Sequence, residues 1–293
     1  MDLEEVFGQL MRPLYYKERI ANNMKKLTKA AIAATALGTV GGYLSLVAPR
    51  LSMRQGTAKF LGKVFAHRGI FGGDIRENSL EAFAAAIDNG YGIELDVRLS
   101  ADGQAMVFHD PSLTRLYGEN TLLSELDAET LSRDYDIPTL KAAVEMINGA
   151  VPLLVELKCD DSDLSVCPIT MDVLKDYEGD YAIQSFNPLA LNWMKKNYPE
   201  VIRGQLSTSF ARDGMHALKY FAIENLFTNC IAKPDFISYN HKYSGNFSLR
   251  VVRHVYKTPT FAWTLRTSEQ WSKCADRFDS YICEDLPKKK KRS

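Results

Sequence analysis

Cysteine is scarce in this sequence, and several familiar site motifs are missing from it. Its five cysteines form no CxxC pair, and their odd number argues against a disulfide framework and mildly against a strongly oxidising compartment. No GxGxxG or P-loop follows the first predicted strand, and no GxSxG motif marks a serine nucleophile. A dinucleotide site, a P-loop and a serine-hydrolase site therefore have no support in the sequence.

The chain also lacks a net charge, because 36 Lys and Arg balance 36 Asp and Glu. The charges are nevertheless separated: residues 1–63 hold ten basic and four acidic side chains, residues 64–287 hold 21 basic and 32 acidic ones, and residues 288–292 are all basic. The acidic body, residues 64–287, argues against a nucleic-acid substrate, since proteins bind phosphate backbones with dense clusters of Lys and Arg. The basic ends favour a membrane surface instead. With 46% hydrophobic residues the chain can bury a core, which excludes intrinsic disorder.

One uncharged run interrupts the basic N-terminal region. Residues 30–49 carry no charge over a length that matches the ~20 residues a helix needs to cross a bilayer. We predict a transmembrane helix here, with residues 1–29 as a basic juxtamembrane segment and residues 50–63 as a linker. The richness of the run in Ala, Gly and Thr leaves a cleaved signal peptide and a packed soluble helix as alternatives. Six basic side chains before the run and four after it favour a single-pass protein with an extracytoplasmic body.

From residue 64 onward, short β-rich runs alternate with segments of helical spacing. The predicted strands are 64–67, 93–97, 152–157, 181–186, 201–206, 235–239, 260–265 and 281–285, and the predicted helices are 80–89, 140–147, 189–197, 247–256 and 269–278. Eight strands alternating with helices predict an α/β fold, a closed (β/α)₈ or TIM barrel, with an open doubly wound sheet as the alternative. We predict one domain over 64–287, with residues 98–138 as an inserted subdomain and 288–293 as a basic tail.

Three carboxylates fall at strand positions where a metal site is expected. Glu94 and Asp96 are two residues apart, so on a strand both side chains point to the same side. Adjacent carboxylates repel unless a proton or a cation lies between them, and Glu156 adds a third oxygen donor from the next barrel strand. All three interrupt otherwise apolar runs, which predicts a site for Mg²⁺ or Ca²⁺.

Two histidines end short hydrophobic runs in a similar way. His67 follows VFA, and His109 follows AMVF. Such a pair can act as general base and general acid near neutral pH, while Arg68 and Lys158 can hold an anionic group or neutralise the carboxylates. The chemistry indicated is a metal-assisted attack on an anionic ester, with a phosphoester favoured. The remaining histidines lack this setting and are interpreted as structural: His216, His241 and His254.

At this point the motifs can be compared with a known family. The sequence closely resembles the glycerophosphodiester phosphodiesterases in HRG at 67–69, ENS at 77–79, ELDVRLSADG at 94–103, VFHDPSLTRLYG at 107–118, PTL at 138–140, ELK at 156–158, QSF at 184–186, AWT at 262–264 and EDLP at 284–287. The resemblance covers the whole acidic body. It implies a TIM barrel and the hydrolysis of glycerophosphodiesters to sn-glycerol 3-phosphate and an alcohol.

The resemblance also implies a role for each matching residue. His67 and His109 are the acid/base pair, Glu94, Asp96 and Glu156 bind one divalent cation, Arg68 and Lys158 contact the phosphate, Glu77 orients this edge, and Trp263 lines the pocket for the glycerol or alcohol group. The last strand reads CED where the family often has TD, which leaves Glu284 without an assigned role.

Two other functions remain open from the sequence. A phospholipase D-like enzyme on the same scaffold would act on lysophospholipids, and an apolar surface beside the pocket would favour it. A non-catalytic membrane-tethered binding module would have lost site residues, whereas all the expected ones are present.

Overall fold

The computed structural model describes residues 24–26, 29, 35–52, 55–159, 162–212 and 214–286. The chain divides into two compact units, 1–46 and 47–293. In the first unit, residues 35–46 are helical, and this stretch is rich in Gly and Thr.

The predicted membrane segments are described only in part. None of the helices within the described ranges combines the length and apolar character needed to span a bilayer. The transmembrane helix predicted over 30–49 lies partly outside these ranges and gains no support from the part inside them. The predicted basic segments 1–29 and 288–293 fall almost entirely outside them.

A closed parallel barrel forms the second unit, as the alternation of strands and helices predicts. The strands are β1 Val64–His67, β2 Gly92–Leu99, β3 Ala105–Val107, β4 Leu153–Leu157, β5 Tyr181–Ser185, β6 Arg203–Ser207, β7 Phe236–Asn240, β8 Thr260–Leu265 and β9 Ser280–Cys283. Eight of them pair in the order β1-β9-β8-β7-β6-β5-β4-β2, and β2 closes the barrel on β1. The ninth strand, β3, pairs antiparallel with β2 at its far end. The doubly wound alternative is therefore wrong.

Helices follow the barrel strands and cover their outer face. They are α1 Leu80–Asp88, α2 Thr114–Tyr117, α3 Ala128–Tyr135, α4 Leu140–Ile147, α5 Val166–Leu174, α6 Pro188–Asn197, α7 Leu218–Glu224, α8 Asn229–Ala232, α9 Phe247–His254 and α10 Ser268–Cys274, with 3₁₀ turns at Gln55–Phe60, Leu123–Glu125 and His241–Tyr243. Side-chain oxygens begin several of them: Ser79 accepts a hydrogen bond from the Ala82 N–H, and Thr139 from the Ala142 N–H.

Side chains alternate along the barrel strands between the outer face, which packs against the helices, and the barrel interior. On β2, Ile93 and Leu95 join the cluster under the helices, so Glu94 and Asp96 point into the barrel. The lower, amino-terminal part of the interior is filled by aromatic rings, with Phe236 and Phe261 stacked at 4.3 Å between centroids. Polar groups are therefore concentrated at the carboxyl ends of the strands, the face where barrel enzymes hold their sites.

A small subdomain is inserted between β2 and α4. It has a core of its own, made of Met106, Phe108, Leu113, Leu123, Ala128, Leu131 and Ile137. Phe108 and His109 follow β3, which pairs with β2. The Phe108 N–H donates to the Asp96 carbonyl, and this bond holds the two residues at the rim of the barrel.

Candidate functional site

The register of the parallel strands brings distant polar side chains to one level. His67 on β1 is paired with Glu94 on β2, and Asp96 with Glu156 on β4. Glu156 is in turn paired with Gln184 on β5. Residues separated by tens of positions in the sequence therefore meet at the carboxyl rim.

The three predicted metal ligands form one buried acidic cluster. A carboxylate oxygen from each of Glu94, Asp96 and Glu156 lies within 4.8 Å of the others. Their exposed fractions are only 1%, 0% and 6%. Burial and the neighbouring carboxylates raise the pKa of Glu94 well above its usual value, and burial also raises the pKa of Glu156. Burial would raise the pKa of Asp96 as well, but Lys158 and Arg68 outweigh it and hold that pKa below its usual value.

Two cations compensate part of this negative charge. Lys158 Nζ lies 2.9 Å from Asp96 Oδ1 and 2.5 Å from Glu156 Oε1. Arg68 Nε lies 3.2 Å from Asp96 Oδ2, and its NH1 donates to Glu77 Oε1 at 2.8 Å. Both predicted phosphate contacts are thus already ion-paired with the acidic cluster.

One carboxylate oxygen of the cluster is suited to coordinate a cation. Gln184 Nε2 donates to Glu94 Oε1 at 3.2 Å, and Gln184 is itself held by the Ser238 hydroxyl. The other oxygen, Glu94 Oε2, is buried without a hydrogen-bond partner. A buried anionic oxygen of this kind is costly unless a cation or proton meets it. The donor set of three carboxylates therefore suits a hard divalent ion.

Each predicted catalytic histidine is held by a carboxylate at Nδ1. His67 Nδ1 donates to Glu284 Oε1 at 2.9 Å, and its Nε2 faces Glu94 at 4.0 Å. His109 Nδ1 donates to Asp110 Oδ1 at 2.6 Å. In both rings this leaves Nε2 for the substrate side of the site.

Burial favours the neutral form of both imidazoles. It lowers the pKa of His67, and together with nearby Lys158 and Arg68 it lowers the pKa of His109 to about 4. A neutral ring that donates at Nδ1 carries its lone pair on Nε2, so each ring can accept a proton there.

A chain of ion pairs connects the second histidine to the ENS motif. Arg115 in α2 pairs with Asp110, the partner of His109, and its NH1 donates to Glu77 Oε2 at 3.0 Å. Glu77 also accepts a hydrogen bond from Arg68, so it lies between two arginines. The predicted orienting residue Glu77 thus sits behind the pocket wall and contacts the side chains that form it.

The HRG motif shapes the backbone under this network. Arg68 and Gly69 both have positive φ, at 62° and 82°. A Cβ on Gly69 would lie 2.7 Å from the backbone of Ala82, so only glycine fits there. Asn78, also at positive φ, donates from Nδ2 to Asp96 Oδ2 at 2.9 Å. The strand end and the start of α1 are therefore locked around Asp96.

A pocket opens over the cluster at the carboxyl rim. Its walls include most of the predicted site residues: His67, Arg68, Glu94, His109, Glu156, Lys158 and Trp263. Asp96 and Glu77 support it from beneath and behind. Trp263 packs edge-on against Phe186, which also lines the pocket, at 5.5 Å between centroids.

Several pocket residues carried no predicted role. Gln184, Asn240, Lys242 and Arg266 line the walls, and so does His241, which was predicted to be structural. His241 directly follows β7, just as His67 ends β1, and this strand-end position was the signal that could have identified it. Glu284, left without a role, binds both His67 and Arg266.

Comparison with known proteins gives one family for this architecture. The model of the glycerophosphoryl diester phosphodiesterase family matches residues 67–285. That range begins at the first predicted catalytic histidine and ends beside Glu284.

Curated relatives agree with this match over shorter stretches. A glycerophosphodiester phosphodiesterase of Bacillus altitudinis is 34% identical over 113 residues, which are 34% of this chain and 46% of the relative. Lysophospholipase D GDPD1 of Homo sapiens is 38% identical over 152 residues, 44% of this chain and 48% of the relative. The chain thus spans about half the length of these curated relatives.

Solved structures share the barrel itself. A glycerophosphodiester phosphodiesterase of Thermotoga maritima aligns with a TM-score of 0.61 and 24% identity, covering 76% of this chain and 94% of that one. An Oleispira antarctica phosphodiesterase in complex with the product sn-glycerol-3-phosphate aligns with a TM-score of 0.62 and 24% identity, covering 76% and 93%. At this level of identity the likeness shows the fold.

Proposed function

The chain belongs to the glycerophosphoryl diester phosphodiesterase family, and from this premise we propose that it hydrolyses glycerophosphodiesters to sn-glycerol 3-phosphate and an alcohol. The observation that carries the proposal is the buried cluster of Glu94, Asp96 and Glu156 in a pocket with two carboxylate-held histidines. This combination provides a cation site and two proton-transfer groups within reach of one small substrate.

Glu94, Asp96 and Glu156 would hold a divalent cation, Mg²⁺ or Ca²⁺. When bound, such an ion supplies positive charge beside the phosphate oxygens, where negative charge develops during transfer. The buried, unpaired Glu94 Oε2 supports this assignment, because the described part of the protein offers it no donor.

Arg68 and Lys158 bind the phosphodiester. Both line the pocket and both are anchored by carboxylates that fix their direction. Their positive charge lets an acidic domain accept an anionic substrate, since charge-assisted hydrogen bonds to phosphate oxygens are stronger than neutral ones.

His67 and His109 move the protons through their Nε2 atoms. One ring, unprotonated at Nε2, takes the proton of the glycerol 2-hydroxyl as its oxygen bonds to phosphorus. The other ring enters the step as an imidazolium, a form that the adjacent phosphate anion favours, and donates its Nε2 proton to the alcohol oxygen as the P–O bond breaks. Water then opens the cyclic phosphate with the roles exchanged. An attacking group already attached to the substrate is entropically favoured, so the site needs no protein nucleophile.

A second candidate substrate is a lysophospholipid, cleaved in a phospholipase D-like reaction. It is favoured by apolar side chains that are exposed in the segment following β6, Leu218 and Phe221 among them. The human relative bears the name lysophospholipase D, which supports the same alternative.

A substrate panel tests the proposal. Purified full-length protein, metal-stripped and then loaded with Mg²⁺ or Ca²⁺, is incubated with glycerophosphocholine, glycerophosphoethanolamine, glycerophosphoinositol and lysophosphatidylcholine. We expect release of sn-glycerol 3-phosphate that His67→Ala abolishes and His254→Ala leaves intact. Binding of a glycerophosphodiester without turnover would instead make the chain a non-catalytic module.

Membrane attachment, with the barrel outside the cytoplasm, is a separate proposal from the N-terminal sequence. Its support is the uncharged run 30–49 between basic flanks. Protease added to intact cells should digest the barrel, whereas full protection would place it in the cytoplasm.

A further inference from the structure

Apolar side chains are exposed in the segment that follows β6 and in the helix α7 to which it leads. Leu218 is 81% exposed, Phe221 54% and Met215 37%. We call these three residues the apolar rim patch. Within α7, Ile223 is buried and Tyr220 and Ala222 are half-buried, whereas Leu218 and Phe221 are exposed to solvent. Folding normally buries large apolar side chains. A cluster of exposed ones therefore marks a contact surface.

The patch lies on the active-site face of the barrel. Its segment leaves the carboxyl end of β6, directly after Leu206, which lines the pocket. In a parallel barrel every such segment emerges on the same rim. The patch and the pocket opening therefore face the same side of the molecule.

A continuous row of aromatic rings connects the patch to the pocket. Trp263 in the pocket wall packs on Phe186 at 5.5 Å, Phe186 on Phe210 at 6.0 Å, and Phe210 on Tyr220 of α7 at 5.2 Å between centroids. The row joins the reacting centre to the patch through packed rings, of which Phe210 is buried and Phe186 and Tyr220 are half-buried. An acyl chain attached to a substrate in the pocket would meet the accessible parts of Phe186 and Tyr220.

Basic side chains flank the patch. Lys219 Nζ lies 5.1 Å from the ring centre of Tyr220, and the Arg212 guanidinium lies 5.6 Å from that of Tyr243. The nearby Glu224 carboxylate accepts hydrogen bonds from Ser209 and from the Ala211 N–H. Exposed apolar groups bordered by Lys and Arg complement a lipid surface with anionic headgroups.

The N-terminal chain of the same unit packs at the opposite end. Val47 accepts a hydrogen bond from Asn229, and Arg50 pairs with Asp235 just before β7. Phe60 accepts one from Ser280 at the start of β9. These contacts lie at the amino-terminal ends of the strands, away from the patch.

We propose that the apolar rim patch docks the enzyme on a lipid surface, so that the pocket receives an acyl-bearing phosphodiester directly from that surface. The docking brings Met215, Leu218 and Phe221 into the acyl layer and aligns the aromatic row with the acyl chain of the substrate. The substrate class in this proposal rests on the proposed function. Docking itself can be measured by vesicle binding, which needs no catalysis.

Vesicle binding tests the docking. Full-length wild type, Leu218→Ser/Phe221→Ser and Val255→Ser are sedimented with vesicles of phosphatidylcholine and phosphatidylserine at 0.5 M NaCl, about the salt level at which attraction of the basic ends is screened. Val255 is the matched control, because it is 62% exposed and follows α9 at the other end of the barrel. We expect the partition coefficient of the double variant to fall at least about tenfold, and that of Val255→Ser to stay unchanged.

Activity gives an independent readout of the same variants. Hydrolysis of soluble glycerophosphocholine should be equal in all three proteins, whereas hydrolysis of vesicle-borne lysophosphatidylcholine should fall in the double variant alone. Equal vesicle binding by all three proteins would overturn the docking proposal. A wild-type dimer that the double variant loses, seen by light scattering, would assign the patch to a second copy of the chain and also overturn it. Inactivity of all proteins with docking intact would contradict only the proposed function.

Discussion

His67 Nδ1 and Glu284 Oε1 lie 2.9 Å apart, although 217 positions separate them in the chain. The pair joins the first barrel strand to the turn after the last one, where β1 and β9 lie side by side. Burial would raise the pKa of Glu284, but hydrogen bonds from His67 and Arg266 lower it to about 2, so the carboxylate stays ionised across the neutral range. It therefore fixes the tautomer of His67 and keeps Nε2 directed at the pocket.

Replacing Glu284 with Gln should lower kcat on glycerophosphocholine on the order of 10- to 100-fold, because the imidazole loses an ionised partner that orients it. KM should change little, since Glu284 does not meet the substrate. Asp285→Asn is the matched control, because Asp285 is exposed and neighbours Glu284. Equal kcat in the two variants would remove the positioning role.

Replacing Glu94 with Gln should have opposite effects on the metal-free and the metal-bound protein. The pKa of Glu94 is raised in the fold, so its ionisation opposes folding: the stability it contributes is present at low pH and lost as pH rises through that pKa. The variant should therefore resist urea better than wild type at pH 7 in chelator.

The same variant should bind Mg²⁺ or Ca²⁺ more weakly, on the order of 10- to 100-fold by calorimetry, because it removes one of the three proposed anionic ligands. Glu145→Gln is the control, since Glu145 is an exposed helix residue. A metal affinity equal to wild type would show that Glu94 does not hold the ion.

Replacing Lys158 with Met should destabilise the metal-free protein by about 3–5 kcal/mol, because it leaves buried Glu156 without its cation and buried Asp96 with Arg68 alone. Lys175→Met breaks only an exposed pair with Asp172 and should leave the free energy of unfolding nearly unchanged. Urea unfolding in chelator measures both. Similar losses in the two variants would mean that Lys158 does not neutralise the cluster.

Two glycine substitutions separate backbone strain from steric clash. Gly73 has a φ of 60°, and a Cβ added there would meet open space, so Gly73→Ala should cost about 1 kcal/mol from backbone strain alone. Gly69→Ala should cost about 1–3 kcal/mol more, because its Cβ would meet the Ala82 backbone. The difference in the free energy of unfolding measures the packing of the HRG turn against α1.

Strand periodicity predicted the barrel well, because each barrel strand is a short apolar run with its own signal. The runs 64–67 and 260–265 match β1 and β8 in full. The inserted helix α3 was not predicted, since its mean composition is polar and only Ala128 and Leu131 are buried. The uncharged run 30–49 predicted a membrane helix by length, whereas the described part of it is rich in Gly and Thr.

The site residues that the motifs contain are brought together as expected, but the partners of those residues were beyond sequence reasoning. The Gln184 contact with Glu94 spans 90 positions and depends on strand register, which no local pattern encodes. His241 was interpreted as structural because it does not directly end a short hydrophobic run, as His67 and His109 do. The pairing of β7 with β8, which sets Asn240 opposite Trp263, brings His241 into the pocket wall.

The most direct test of the central claim is the release of sn-glycerol 3-phosphate from glycerophosphocholine by the purified full-length chain. We predict turnover with Mg²⁺ or Ca²⁺, loss of turnover in chelator, recovery on adding the ion back, and loss by at least about 10²-fold in His67→Ala and in His109→Ala. Turnover that survives both histidine substitutions, or a wild-type protein that cleaves no glycerophosphodiester with either ion, would contradict the account.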